Sequence, residues 1–408
     1  MKSYAVAVVL FLSACAQPAA FDSIAIDSVA IDSSGVRIVT VDPTKSDATC
    51  RISEEPVLII GEDEEDENQF FSRVRGMGRL SDGSVVAADR RAAEVRIYDN
   101  TGKHLRSMGR HGEGPGEFLN PYILWVTAGD TLWVGNYRPW SYNLFTAEGQ
   151  FVRRVTLEPL YLNPSGAGGV LDNGYTVNER TEWGTRQEED FSFKDTMIVE
   201  LHDPSGALVS SLARIPNVNW GTVREETNFW LYPLFSSFAE VDARGSTIVL
   251  AHGSKAEVRV LDDELNLRTI IRWLEPDREV TSTDVRAWRA DYMERRAQSS
   301  PDWRPSEDAR LSRERPVADL FPVMSSVIVG RDGRIWIDSY DRPREERGWL
   351  AFGSGGEFIC HMDQLPGDPW EFGADYVLLL HESEHGPESV RMYHLTYPDA
   401  SVDLAASP

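Results

Sequence analysis

The chain has 408 residues, with 65 acidic against 41 basic side chains, a net charge of −24 and a pI near 4.7. So acidic a surface is repelled by nucleic-acid phosphate and by anionic lipid headgroups, which sets both aside as partners. Apolar residues make up 41%, ample for a core, and the length exceeds the usual single-domain size in the way all-β repeat folds do.

In chain order, the first element is an address. Lys2 precedes an apolar run over residues 4–12, too short to span a bilayer, so residues 1–14 read as a secretory signal. The run ends Leu12-Ser13-Ala14-Cys15, which resembles the lipobox of bacterial lipoproteins. That resemblance implies cleavage before Cys15 and a lipid on its thiol, and the absence of aspartate at Ala16 implies the outer membrane. An ordinary signal with a chance cysteine is the alternative. Residues 15–49 read as lipid-anchor tether and linker, with a short extra strand as the other reading of the polar, repetitive stretch up to residue 34. No other segment has a long uncharged apolar run. Cys50 and Cys360 lie in an oxidising compartment if the signal is real, which permits a disulfide between them; two buried free thiols are the alternative.

From residue 50 to 398 one turn-and-strand unit recurs six times. It starts at Asp82-Gly83, Gly129-Asp130, Asp172-Asn173-Gly174, Gly245-Ser246, Asp332-Gly333 and, more weakly, Gly373-Ala374-Asp375. Self-similarity at about 40–50 residues marks a repeat architecture. Within a unit, alternating apolar and polar runs are separated by Gly/Asn turns, as in Glu94–Tyr98, Asn100-Thr101-Gly102 and Lys103–Met108. The grammar is four antiparallel strands per unit, the blade of a β-propeller. The sixth unit lacks a fourth strand at the C-terminus, before a tail at 399–408. Residues 61–70 align without a gap on 109–118, so Pro56–Ile60 predicts an outer strand that completes the sixth blade and ties the ring shut. Five blades with an N-terminal appendage is the competing count.

Two insertions break the interval. Residues 216–232 are polar and aromatic, with Trp220, Trp230 and Tyr232. Residues 277–316 read as helical, starting at a Thr281-Ser282-Thr283-Asp284 capping box, with Val285, Trp288 and Tyr292 on one face and a second short helix at Ser306-Glu307-Asp308. Nine arginines balance nine acids there, so the stretch is a salt-bridged element packing Trp288 on a propeller face, or a lid over the central channel.

The segment Gly109-Arg110-His111-Gly112-Glu113-Gly114-Pro115-Gly116-Glu117-Phe118 resembles the Gly-rich segment before an inner strand in bacterial six-bladed propeller lipoproteins of the NHL-like kind. The resemblance covers most of the chain from about residue 50 by repeat pattern and implies an all-β, six-bladed propeller. A strand follows this loop where a phosphate cradle needs a helix N-terminus, so its reading is structural, with Phe118 plugged between blades. The acidic run Glu62–Glu67 has calcium-ligating side chains without the spacing of a calcium loop, and reads as solvated. His381 and His385 flank a loop and are weak zinc candidates.

Position defines the candidate site. The second strand of each unit ends at Asp89, Asn136, Glu179, His252, Asp338 or His381, and in a propeller these ends gather around the axis at the top face. They are the candidate ligand-binding residues; side chains that merely brace loops are the alternative. Related gluconolactonase-like propellers hold a metal at such a place, but the set here is chemically mixed and lacks that family's ligand pattern. No nucleophile elbow, HExxH or CxxC pair is present. The expected function is a monomeric, lipid-anchored periplasmic or cell-surface module binding a protein or small molecule at its top face, without a cofactor. The alternative is a hydrolase, lactonase or lyase with calcium or zinc on the axis.

Overall fold

The computed structural model describes residues 29–398 apart from 63–65, 138, 160–165, 185–192, 225–227, 276, 300–304 and 383–387. Cys15, His385 and the 399–408 tail lie outside the described residues, as does the centre of the acidic run.

Alternation and turn glycines place the strands where the repeat predicts them. Val74–Arg79, Val85–Asp89, Glu94–Tyr98 and His104–Met108 form one antiparallel sheet in chain order. Pro121–Thr127, Thr131–Asn136, Ser141–Phe145 and Phe151–Thr156 form a second. Met324–Val329, Ile335–Ser339, Trp349–Phe352 and Phe358–Met362 form another. A fourth is built on Asp368–Phe372, Tyr376–Glu382 and Glu388–Thr396. Two N-terminal strands pair antiparallel with its last member: Leu58–Ile60 in the register Val390↔Ile60, and Arg51–Ile52 in the register Leu395↔Ile52.

The remaining strands correct the expectation of six separate blades. Four sheets stand apart as blades; the third and fourth predicted units run together in one eleven-stranded sheet. The junction is a parallel pairing between the inner strands Gly166–Leu171 and Ala239–Gly245, in the register Gly169↔Ala243. Glycine makes that approach possible: Gly169 has φ +148°, and a Cβ there would stand 1.8 Å from the Ala243 carbonyl oxygen. The same sheet grows at its outer edge. Val29–Ser33 and Val36–Val41 form a hairpin whose second strand runs parallel to Leu267–Trp273. Part of the predicted linker is therefore strand. The aromatic, polar insertion at 216–232 is carried largely on strand: the outer strand Leu208–Arg224 extends into it, and Asn228–Leu231 pairs back on that strand.

The core is distributed between sheets, as in a propeller. Val86 and Ala88 pack on Leu124, Val126 and Val134 of the next sheet. Trp133 and Tyr142 meet Val170, Leu171 and Val199 meet Val241 and Ile248, Val249 and Val258 meet Val327 and Ile335, and Trp336 stacks on Phe372 at 4.3 Å. Leu378 and Val390 pack on Val74 and Val85, bringing the last sheet against the first. Burying two faces per sheet in this way removes large apolar areas from water at about 25 cal/mol per Å². Cys50 and Cys360 form a disulfide, Cα atoms 5.5 Å apart, within the Trp336 cluster.

The Gly109–Phe118 segment acts structurally. Gly109 has φ +81°, and a Cβ there would meet the buried Phe118 ring at 2.3 Å. Glu117 accepts from the Gly114 amide (2.8 Å) and from Arg110 Nε (2.7 Å), folding the loop on itself. Arg154 caps the Gly114 and Glu117 carbonyls at 2.8 and 3.0 Å.

Two helices, α1 (Ser282–Ser299) and α2 (Pro305–Leu311), make up the 277–316 insertion. The capping box forms: the Thr281 amide donates to Asp284 Oδ2 (2.8 Å) and the Asp284 amide to Thr281 Oγ1 (3.4 Å). Trp288 and Val285 pack against Leu234, Phe235 and Phe321, on segments that lead into the inner strands Ala239–Gly245 and Met324–Val329. The insertion therefore sits at the end of the propeller where those inner strands begin. Among the described residues no helix is long and apolar enough to cross a membrane.

Candidate functional site

Strand register brings the six predicted strand ends to one end of the molecule. Asp89 lies opposite Val74, Asn136 opposite Pro121, Glu179 opposite Gly166, His252 opposite Ala239, and Asp338 opposite Ser326, each at or near the start of an inner strand. His381 follows Leu380, which pairs with Asp368, the first residue of its inner strand.

They do not form one constellation. Asp89 is fully buried, accepting from the amides of Ser72 (2.8 Å), Arg73 (3.3 Å), Arg91 (2.9 Å) and Ala92 (3.2 Å). Asn136 Oδ1 takes the amides of Leu119 and Asn120 at 3.0 and 2.9 Å. Both carry the blade-to-blade crossing and have no acceptor left for a ligand. His381 Nδ1 pairs with the Pro366 carbonyl at 3.1 Å. His252 Nδ1 pairs with Ser254 Oγ at 2.7 Å and faces a groove shared with Pro216 and Leu250. Burial holds the His252 imidazole below its usual range.

Glu179 and Asp338 join two carboxylates that the sequence reading missed, Glu240 and Asp242 on the inner strand Ala239–Gly245. Burial pushes Glu240 up to about 8, reinforced by the charges of Glu179, Asp242 and Asp338. Glu179 rises to about 7 through burial and the Asp242 charge. Asp338 rises to about 7 through burial and the charges of Asp341 and Asp368. Asp242, held by the Val329 amide at 2.5 Å, rises to about 6 through burial. Like charges confined in a low-dielectric wall cannot all ionise, so the cluster holds protons near neutrality. Among the described residues no three His, Cys, Asp or Glu side chains stand close enough to hold a metal ion.

Farther along the same strand the charge changes sign. Arg244 Nη1 donates to Glu371 Oε2 at 2.9 Å, and Glu371, with no exposed surface, also accepts from the Arg79 amide (2.9 Å) and the Tyr376 hydroxyl (2.6 Å). Arg331 lies 3.7 Å from the other Glu371 oxygen. Glu371 thereby ties side chains and backbone from four units into one network.

Above the inner strands, the insertion leaves space. A cavity of about 350 Å³ is walled by Tyr232, Phe235 and Phe238 on one side, Met324, Ser325 and Tyr340 on another, and Trp288, Arg310 and Arg315 of the insertion. It shares Trp288, Phe235, Ser325 and Tyr340 with a second hollow of about 600 Å³ that runs out past Arg342 and Arg344. Its size falls in the range of a small-molecule site, and its lining mixes aromatic and apolar side chains with the polar groups of Arg310, Arg315, Ser236 and Ser325. The sequence signal for it was the length of the insertion and its aromatic residues.

No family model and no curated protein matches the sequence. Solved structures align with it at low identity. A putative exported protein from Bacteroides fragilis aligns over 89% of this chain and 100% of its own, with a TM-score of 0.48 and 9% identity. A DUF4221 family member from Bacteroides vulgatus aligns over 86% and 99%, with a TM-score of 0.47 and 9% identity. A Xanthomonas campestris gluconolactonase aligns over 81% and 87%, with a TM-score of 0.40 and 14% identity.

Proposed function

We propose that this chain is an exported, lipid-anchored propeller that works as a binding module and receives a small-molecule ligand at its top face, beneath the helical insertion. The observation that carries this reading is the aromatic-walled cavity between Trp288 of the insertion and Tyr340 of the propeller. Asp89 and Asn136 are spent on bracing loops, whereas the cavity is an aromatic-lined space at that end.

In this reading the eleven-stranded sheet is two blades fused at their inner strands, so the ring has six units. Six apolar clusters support the count, one between each successive pair of units and one between the last and the first. The Leu58–Ile60 strand then closes the ring on its final hairpin. Cys15 carries the lipid, and Cys15→Ser moves the protein from the membrane to the soluble fraction; unchanged membrane association contradicts the anchor.

The binding reading is tested with a small-molecule panel of neutral, cationic and anionic aromatic compounds, read as melting temperature. Compounds that bind the cavity raise the melting temperature of the parent by mass action, and Ser325→Trp, which fills the cavity from an exposed position, abolishes the rise. A panel that shifts parent and variant equally, or neither, contradicts it.

An enzyme with a divalent metal on the axis is the second reading; the carboxylates Glu179, Glu240, Asp242 and Asp338 act on one another there, although among the described residues no three stand close enough to hold a metal ion as placed. Calcium or zinc bound at one per chain, and lost in Asp338→Asn, decides for it; a protein whose melting ignores chelators decides for the module.

A further inference from the structure

The charge balance of the insertion conceals a segregation. Its arginines and acids are equal in number, yet one arginine has been taken inside without an acid. Arg315 is 7% exposed. Its Nε donates to the Tyr232 carbonyl at 3.0 Å and its Nη1 to the Arg310 carbonyl at 3.4 Å. Its guanidinium lies between two rings, 5.6 Å from Trp288 and 5.7 Å from Tyr232. Among the described residues no carboxylate lies within ion-pair distance, and Nη2 donates to no protein atom.

The charged groups that act on Arg315 most closely are other arginines, Arg310 and Arg289. Arg289 donates Nη2 to the Ser312 carbonyl at 3.1 Å, and its Nε is buried with no acceptor at all. A buried cation without a counter-charge opposes folding, and like charges beside it make matters worse. In a chain with 65 acids the missing partner is not a matter of supply. Arg315 and Arg310 both line the cavity beneath the insertion, and five aromatic side chains form much of the remaining wall beside Leu234, Met324 and two serines.

We propose that this cavity binds a small aromatic carboxylate, its carboxylate taken by Arg315 and Arg310 and its ring laid against Trp288, Tyr232 and Tyr340. The proposal rests on the reading of the cavity as the ligand site and names its ligand class. A planar carboxylate suits the fixed donor fork of a guanidinium, and the stacked rings already orient that fork. At about 350 Å³ the space takes one small ring system and its acid group. The general field of the protein repels anions, so selectivity comes from the positive groups that line this cavity.

The test uses phenylacetate and its uncharged isostere phenylacetamide, titrated against the purified full-length exported domain and followed by tryptophan fluorescence and calorimetry. Phenylacetate saturates one site per chain; phenylacetamide binds about tenfold or more weakly, since it cannot use the charge. Arg315→Gln lowers phenylacetate affinity by about tenfold or more and leaves phenylacetamide nearly unchanged. Where Arg315→Gln fails to fold, Arg310→Gln, at an exposed position, serves in its place with a smaller loss in the same direction. Equal affinity for acid and amide, or a loss shared equally between them, overturns the carboxylate assignment while leaving the cavity as the ligand site. Binding that survives Ser325→Trp, or no binding by either compound or by the panel above, overturns both. Phosphate binding at the same site without phenylacetate binding shows a bare anion site and overturns the aromatic part of the assignment.

Discussion

Glu240 sits on an inner strand among three other carboxylates, and its proton is where the fold and pH meet. Its folded-state value, about 8, and those of Glu179 and Asp338, about 7, lie above the ordinary carboxylate range near 4. The native state therefore holds more protons than the unfolded chain through neutrality. That stability is fully present below about pH 4 and is lost as pH rises through 7 to 8. His202 works with the opposite sign, since burial holds it down to about 4, but it acts only below its usual range near 6.5. Between about pH 6.5 and 8.5 the carboxylates stand alone, and urea unfolding is expected to show stability falling by on the order of 1–2 kcal/mol, discounted for their partial exposure. Glu240→Gln, which mimics the protonated form, flattens that slope. An unchanged slope in the variant contradicts the shared-proton account.

At the scale of elements, what could be read from sequence was local. Turn glycines, strand alternation and the Thr281–Asp284 capping box each depend on neighbours in the chain, and each lies where the pattern predicts it. Pairings set by distant chain were harder. The fusion of the third and fourth units turns on Gly169 meeting Ala243, a contact with no local signature. Glu240 and Asp242 had a signal that went unread: Ala239–Arg244 alternates small apolar with charged residues on a strand expected to be buried on both faces. Position along the strands named Asp89 and Asn136, yet position alone could not say that they spend their oxygens on backbone amides. The helical insertion gives an element-scale prediction. Thr281→Ala removes an N-cap and costs about 1 kcal/mol in α1. Hydrogen exchange in α1 speeds up and ligand affinity in the cavity falls severalfold, while global unfolding stays nearly unchanged. Uniform destabilisation of the whole chain contradicts an insertion that opens on its own.

At the scale of the molecule, the N-terminal part of the domain is joined to its later sheets by strand pairing, Leu58–Ile60 and Arg51–Ile52 on Glu388–Thr396, and by the disulfide between Cys50 and Cys360, 310 residues apart. Pairing covers an edge that would otherwise template aggregation, and a cross-link over so long a loop restricts the unfolded chain, worth typically about 2–4 kcal/mol. Deleting residues 50–61 removes both and is expected to lower the melting temperature by many degrees and promote aggregation, with Cys50→Ser accounting for only part of the fall. A truncated domain as stable as the parent contradicts the closure.

The central claim is that the top face receives its ligand beneath the insertion. A crystal structure of the exported domain soaked with phenylacetate tests it most directly. The account predicts density for one molecule between Trp288 and Tyr340, its carboxylate within hydrogen-bond distance of Arg315. Density only at the Glu240 cluster, or only on the outer grooves, contradicts it.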